Sequence, residues 1–428
     1  MDRSFFLKSI AALSGVGILG LKTAEGFVKA GPDHFFHALR SDQDIAWDIL
    51  RSNFSLPAGY RYFNTAGCGA VPEFVRQYVM KYWNDTEVHP APGHNDAVWV
   101  NIKKSIARAV GLGDNYRGIA LTNSTTAGIN IILNGIDFKN GDQIITSTHE
   151  HPALHAPLIN LAQRKSLIIQ SFEPDLEIGL NNVKRIFDLA GPRTRLIFIS
   201  LITCTCGQLL PVREIIEEAH KRNILVALDG AQSTGNSIIE LLDLDVDFYT
   251  SGGQKWLLGP KRTGFLYVKP TLLDFVRPTT VGAYSEASYS IKDLSITWAH
   301  DATRYEYATQ NDSLFFGLGK SIGFLSNLGW DNIVKHDRLL AERFYEGLKA
   351  IHGVKVISPN EYKYRTPIIS FSVDGMCYKN LANELGRRGF RVRMVHEAGL
   401  EAVRASFHVY NNESEIDAML EAIADISQ

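Results

Sequence analysis

From about Gly118 onward, short β-branched apolar runs alternate with helix-length amphipathic stretches. The runs GIALTNS, QIITST, SLIIQSF, RLIFIS, ILVALD, VDFYTS and TGFLYVK predict seven strands, several separated by helical patterns such as PVREIIEEAHKRN with Pro211 at its start. Strands that read as nearly continuous apolar runs are buried on both faces. The alternation therefore predicts an α/β domain built on a mostly parallel sheet covered by helices. Ligands of such sheets sit beyond the carboxyl ends of the strands, which directs attention to the residues just after each run. After about Tyr305 the pattern changes to a long helix (SLFFGLGKSIGFLSNLGW), a second near Asn332 to Ile351, strands PIISFSV and VRASFHV, and a closing helix from about Glu413. That order predicts a smaller C-terminal α+β domain. The domains expected are a large one over 86–300 and a small one over 301–428. A segment over 40–85, carrying the small-residue loop YFNTAGCGAVP, contributes to the site and to the small domain.

Composition removes several classes of function. Forty-four Lys plus Arg against 46 Asp plus Glu leave a net charge of −2, which excludes a basic nucleic-acid wrapper. With 45% hydrophobic residues the chain can bury a large core. Its four cysteines, Cys68, Cys204, Cys206 and Cys377, include no C-x-x-C pair, and no H-E-x-x-H spacing occurs, so neither a disulfide scaffold nor a metal site is expected. Cys204 and Cys206 are expected on one face of a strand. The N-terminal 1–26 stand apart: Arg3 and Lys8 precede the uncharged stretch SIAALSGVGILGL, Ser9 to Leu21. As a helix this spans roughly 20 Å, short of a bilayer core of roughly 30 Å but suited to a signal-peptide h-region. Export to the periplasm through a degenerate twin-arginine-like signal, or membrane association, is expected; a helix docked on a cytoplasmic protein is the alternative.

The chemistry concentrates in four places. In DFYTSGGQKWLLGP, Lys255 follows a strand and two glycines and precedes Trp256. Most lysines are solvated, but one held at a strand end by glycines and an aromatic loses water, and a desolvated amine is the nucleophile of Schiff-base chemistry. In VALDGAQSTG, Asp229 ends an apolar strand. It is either a helix cap or the carboxylate that keeps a pyridine nitrogen protonated, with Gln232 on the ring hydroxyl. LTNSTTAGIN reads as strand, Ser-Thr-Thr, helix: an N-cap at Ser124 or Thr125, or a phosphate site at a helix N-terminus. In QIITSTHEHPALH, His149 and His155 read as surface or packing residues, while His151, before Pro152, is placed to stack on a planar ring.

This ordered series resembles the class V aminotransferase family of fold type I pyridoxal 5'-phosphate (PLP) enzymes, which includes the cysteine desulfurases and isopenicillin N epimerase. The resemblance runs from about Tyr62 to the C-terminus and rests on YFNTAG, STTAGIN, the E-H of HEHPA, DGAQ, the lysine of SGGQKW, RYEYAT and VRASFHVYNNESEID. It implies PLP as cofactor, a seven-stranded large domain with a small C-terminal one, Lys255 as the Schiff-base lysine, Asp229 opposite the pyridine nitrogen and His151 stacked on the ring. It further implies Gln232 on the ring hydroxyl, Thr125, Thr126 and Gln254 at the phosphate, and Arg404, with Arg393 and Asn64, at the substrate carboxylate. A homodimer is implied too, with Thr279 or Thr280 reaching the neighbouring phosphate.

Three departures bear on the reaction. The segment VHEAGLEA lacks the nucleophilic cysteine of desulfurases, G-G-Q-K replaces the usual S-G-H-K, and Leu201 stands where relatives place a polar residue. The resemblance therefore puts transamination of an α-amino acid with a keto-acid co-substrate first, and epimerisation (racemisation) or C–S lysis as alternatives. A noncatalytic PLP-fold binding protein is the reading from another class; the joint presence of Lys255, Asp229 and Arg404 argues against it.

Overall fold

The computed structural model describes residues 40–41, 44–45, 47–90 and 96–428; the signal-like stretch Ser9 to Leu21 lies outside them. All seven expected strands form: β1 (Ile119–Thr122), β2 (Gln143–Ser147), β3 (Ile168–Phe172), β4 (Thr194–Ser200), β5 (Leu225–Asp229), β6 (Phe248–Gly252) and β7 (Gly264–Val268). They make one sheet in the order β1-β7-β6-β5-β4-β2-β3. Strands β2 to β6 run parallel, while β7 is antiparallel to both its neighbours. The interior strands are buried almost throughout because helices cover both faces. Strand β3, at the edge, leaves Ile168 46% exposed. Helix Thr125–Gly135 lies so close to β6 that a Cβ on Gly128 would come within 2.1 Å of the Thr250 hydroxyl, so a glycine is required at this crossing.

The small domain is a four-stranded sheet, β8 (Val354–Val356), β9 (Ile368–Val373), β10 (Arg393–Val395) and β11 (Ala402–Ser406), in the order β8-β9-β11-β10. Helices Trp330–Lys349, Tyr378–Arg387 and Glu413–Ser427 pack with it. The N-terminal segment joins this domain: Arg61–Tyr62 pairs in parallel with Phe390–Arg391, and Phe63 is fully buried in the small-domain core.

Two expectations need correction. The boundary at 301 is too early, because Ala302 and Tyr305 are buried against the large sheet and helix Asp312–Leu328 sends Phe315, Leu318 and Ile322 into the main core. Apart from Phe63, the small domain's own core begins at Leu340. Cys204 and Cys206, in turn, lie past the end of β4 in a tight turn closed by an Ile202–Leu209 bridge, so they do not share a strand face. The physical reason is Gly207, whose φ of 72° reverses the chain. Among the described residues no helix is long and apolar enough to cross a membrane.

Candidate active site

The carboxyl ends of β1, β2, β4, β5 and β6 open into one cavity of about 230 Å³, closed on its far side by two arginines of the small domain. It brings together Thr125, Thr126, His151, Asp229, Gln232, Gln254, Lys255, Arg393 and Arg404, with Ala66, Gly67, Ser124, Ala153, Ser200, Cys204 and Ala231 completing the wall.

At the end of β1, the Ser124 hydroxyl accepts the Ala127 N–H at 3.2 Å and so caps helix Thr125–Gly135. With the cap supplied by Ser124, the side chains of Thr125 and Thr126 stand at a helix N-terminus, where partial positive charge gathers. Gln254 faces them with a buried Oε1 that has no partner among the described residues. A Cβ on Gly252 would lie 2.6 Å from that oxygen and 3.1 Å from the Thr125 hydroxyl, so glycine keeps this cradle open.

Asp229, at the end of β5, is 4% exposed, accepts the Ala231 N–H at 2.8 Å and makes no salt bridge among the described residues. Burial pushes its carboxyl pKa up, against the pull of Lys255 and of that N–H. Burial also lowers the Lys255 ammonium, with Asp229 opposing. Two buried groups each weakened in their charged form are what a site expecting a charged partner contains. Between them the Gln232 amide is fixed in orientation: Oε1 accepts the Trp256 indole N–H at 2.9 Å, and Nε2 donates one hydrogen to the Ala66 carbonyl at 2.9 Å. Its second N–H remains available to a ligand.

His151 caps helix Pro152–Lys165, its Nδ1 accepting the Ala153 N–H at 3.0 Å. The proton of the neutral ring therefore sits on Nε2. Burial, and then the positive charges of Lys255 and Arg393, lower its pKa to about 4. Next to it, Glu150 is 1% exposed and accepts from the Ser147 hydroxyl at 2.6 Å, the Ser200 N–H at 3.0 Å and the Ser200 hydroxyl. This carboxylate ties the ends of β2 and β4 together and sets where His151 begins. Glu150 stands in the E-H motif, which by itself indicates no role for it.

Arg404, on β11, is 1% exposed. It donates to the Cys204 carbonyl and, at 3.4 Å, to the Asn64 side-chain oxygen; its Nε is buried with no partner, and no carboxylate pairs with it among the described residues. The acidic residues close to it in sequence are engaged or directed elsewhere: Glu413 pairs with Arg343 at 2.9 Å, and Glu401 is exposed. Burial, and then the nearby Arg393, lower its pKa to about 9. Arg393 lines the cavity but is held by Glu397. Thr280 is not brought to the cavity: it lies exposed beyond the end of β7. His149, expected at the surface or in packing, is fully buried between Thr205 and Glu173. Leu201 is 2% exposed in the hydrophobic core and does not line the cavity.

These residues fit PLP in shape and donor set. A helix N-terminus carrying the Thr125 and Thr126 hydroxyls suits the phosphate, with the Gln254 amide able to join it only by turning its N–H2 inward; a buried unpaired carboxylate suits a ring nitrogen, and a desolvated amine suits an aldehyde carbon. Trp256, His408 and Asp337 support the arrangement from behind, though the sequence offered no reason to single out the last two. The fully buried His408 donates Nε2–H to the Trp256 carbonyl at 3.0 Å, and its Nδ1 meets the Asp337 carboxylate at 2.7 Å.

Comparison with known proteins agrees with this geometry. The family model for aminotransferase class V matches residues 61–419. A probable cysteine desulfurase of Staphylococcus epidermidis is 28% identical over 338 residues, covering 76% of this chain and 80% of that protein. Among solved structures, a mutant of C-DES with glycine covalently linked to its PLP cofactor superposes with a TM-score of 0.81 at 25% identity, covering 88% of this chain and 99% of the other. The cystine C–S lyase C-DES in complex with its product cysteine persulfide gives 0.79 at 26% identity, covering 86% and 98%. With 61–419 matched and the fold of its relatives reproduced, the chain belongs to the class V aminotransferase family of fold type I enzymes.

Proposed function

We propose that this protein is a PLP-dependent enzyme that breaks the C–S bond of a sulfur-containing α-amino acid by β-elimination. The carrying observation is a buried guanidinium, Arg404, left without a carboxylate among the described residues, in the cavity that Lys255 also lines and whose lining contains no reactive thiol. The turn between β10 and β11 holds no cysteine, and the one thiol in the wall, Cys204, is pushed by burial to a pKa of about 12, far from the thiolate that sulfur transfer to the enzyme demands. The missing thiol speaks against sulfur transfer to the enzyme, and the names of the relatives, cysteine desulfurases and a cystine C–S lyase, support placing C–S lysis ahead of the transamination expected from the sequence.

PLP, when bound, supplies the electron sink that makes the α-hydrogen acidic. The chain supplies the rest. Lys255, its ammonium already disfavoured by burial, takes up the α-proton. Arg404 grips the carboxylate in two-pronged fashion and so sets which substituent of the α-carbon points at Lys255. Asp229 provides the negative charge opposite the ring nitrogen, and that pairing compensates the burial that otherwise disfavours its ionised form. His151, kept neutral, offers an uncharged face for stacking and an Nε2–H as donor. As the Cβ–S bond breaks, the sulfur carries away the bonding pair and then takes a proton.

The test is product analysis with L-cystine, L-cysteine and sulfur-free amino acids, each with and without a keto acid. Pyruvate, ammonia and a sulfur product in the absence of keto acid support elimination. Amino-group transfer that requires the keto acid returns the function to transamination, inversion without bond cleavage to epimerisation, and no turnover of any amino acid to a binding protein. We also propose a homodimer in which the partner subunit's Thr280 completes the phosphate site; sedimentation of the holoprotein as a monomer counts against it.

A further inference from the structure

Arg393 and Arg404 stand directly opposite each other on neighbouring antiparallel strands, β10 and β11, and both line the cavity. Two like charges in register repel. The chain answers this on one side alone. Glu397 receives both arms of Arg393, one of them at 3.2 Å, and the carboxylate is held further by the His396 N–H at 3.2 Å. The Arg393 side chain is 22% exposed and that of Glu397 6%. Although burial works against it, the contacts with Arg393 keep the Glu397 carboxyl ionised, with a pKa of about 2. The turn that folds Glu397 back over β10 is built in left-handed backbone: Ala398 has φ 54°, Gly399 68° and Glu401 46°. Non-glycine residues adopt this region at a cost, so the position of Glu397 is enforced by the fold. Meanwhile Arg404, facing the same space, keeps an Nε without a partner among the described residues.

We propose that Glu397 is a specificity-determining residue that occupies Arg393 from within, leaves Arg404 as the single guanidinium open to a substrate, and so restricts the enzyme to amino acids carrying one carboxylate. A substrate with a second, side-chain carboxylate finds its natural cation already satisfied and meets the charge of Glu397 beside it. This rests on the reading of the cavity as an α-amino-acid site and names the substrate class excluded from it.

The experiment compares the PLP-loaded native protein with Glu397→Gln, Glu397→Ala and the double variant Glu397→Gln/Arg393→Ala, using calorimetry and the visible absorbance of the bound cofactor. Propionate serves as the one-carboxylate probe and succinate as the two-carboxylate probe. Releasing Arg393 should tighten succinate at least about tenfold relative to propionate in Glu397→Gln, the scale of one charge-assisted pair, and the gain should vanish in the double variant. Glu397→Ala guards against a Gln side chain that still blocks Arg393, and should show the same preference. An unchanged succinate-to-propionate ratio in both single variants, or a gain that survives loss of Arg393, overturns the inference. Failure of propionate to bind any of the four proteins overturns this inference together with the α-amino-acid reading, whereas an unchanged ratio with propionate bound overturns the inference alone.

Discussion

Replacing Arg404 by Lys keeps the charge at the end of the cavity and removes its fork. In the native protein the guanidinium already donates to the Cys204 carbonyl and the Asn64 side chain, and its Nε has no partner among the described residues. Its geometry is therefore fixed from behind while a donor remains for an arriving anion. An ammonium on a four-carbon stem can satisfy the Cys204 carbonyl or a substrate carboxylate, and it lacks the planar pair of parallel donors that orients the latter. Disrupting a buried charge pair of this type costs about 2 to 5 kcal/mol, which at about 1.4 kcal/mol per tenfold means a loss in kcat/KM from about thirtyfold to several thousandfold. The assay is steady-state turnover of the best amino acid found in the product screen, beside an amine of the same skeleton lacking the carboxylate. The amine should be a poor substrate of both proteins and should lose little on substitution. The bound cofactor's absorbance should be preserved, since Arg404 belongs to the small-domain sheet whereas Lys255 and helix Thr125–Gly135 belong to the large domain. Native kcat/KM in the Lys variant refutes the assignment and leaves Arg404 a structural residue.

Four further outcomes are expected. Borohydride reduction followed by peptide mapping should place the pyridoxyl mass on Lys255; a label on another lysine, or none, removes the assignment. Asp229→Ala should retain cofactor but turn over about a hundredfold or more slowly, as for other loss of preorganised charge at a reacting group, and an unaltered rate would dismiss the electron-sink argument. His151, with its pKa lowered to about 4, should show nitrogen chemical shifts that do not titrate between pH 5.5 and 8. Because the unfolded chain takes up that proton first, near pH 6.5, the contribution of His151 destabilises the fold as pH drops from 6.5 towards 4; a titration midpoint above 6 would contradict the buried neutral ring. Finally, we propose that Ser9 to Leu21 directs export or membrane association, so that removing residues 1–26 leaves melting temperature and PLP content nearly unchanged while abolishing translocation; a truncated protein that fails to fold makes the segment structural.

The sheet was legible because its strands are buried on both faces and so spell themselves as apolar runs, and because the chemistry of a parallel sheet collects at strand ends that can be read off in order. Lys255, Asp229, His151 and the Ser-Thr-Thr turn were singled out that way, and the structure brings them to one cavity. What escaped were relations between segments distant in sequence. Nothing in VRASFHV says that His408 reaches the Trp256 carbonyl and Asp337, 71 residues upstream. Nothing in VRMVHE says that Glu397 turns back onto Arg393, because three positive φ values in five residues are not written in a hydrophobic pattern. The domain boundary was misplaced for a similar reason: Asp312–Leu328 is apolar enough to belong to either core, and its partners, such as Trp99 and Ile102 in helix Asp96–Ala109, lie some 200 residues earlier.

The turn after β4 shows how the small domain is registered on the large one. Four consecutive backbone carbonyls, those of Cys204, Thr205, Cys206 and Gly207, each accept a hydrogen bond from a small-domain side chain: Arg404, Ser370, Ser358 and Thr366 respectively. The Leu209 N–H adds a bond to the Tyr364 carbonyl, and His408 reaches the Trp256 carbonyl one residue after Lys255. Each such bond contributes about 1 kcal/mol net, but in sum they fix position as well as energy. A reacting α-carbon must hold its carboxylate on one domain and its hydrogen towards the other, and an error of about 1 Å between them costs orders of magnitude in rate. Substrate-driven closure is one way to reach that alignment. Here the same guanidinium that faces the cavity also makes one of the bonds joining the domains, so its position relative to Lys255 is set before any ligand arrives. Cys204 and Cys206 thus serve the site through their backbone carbonyls, and the C-T-C-G sequence, which invites a redox reading, is an interdomain clamp.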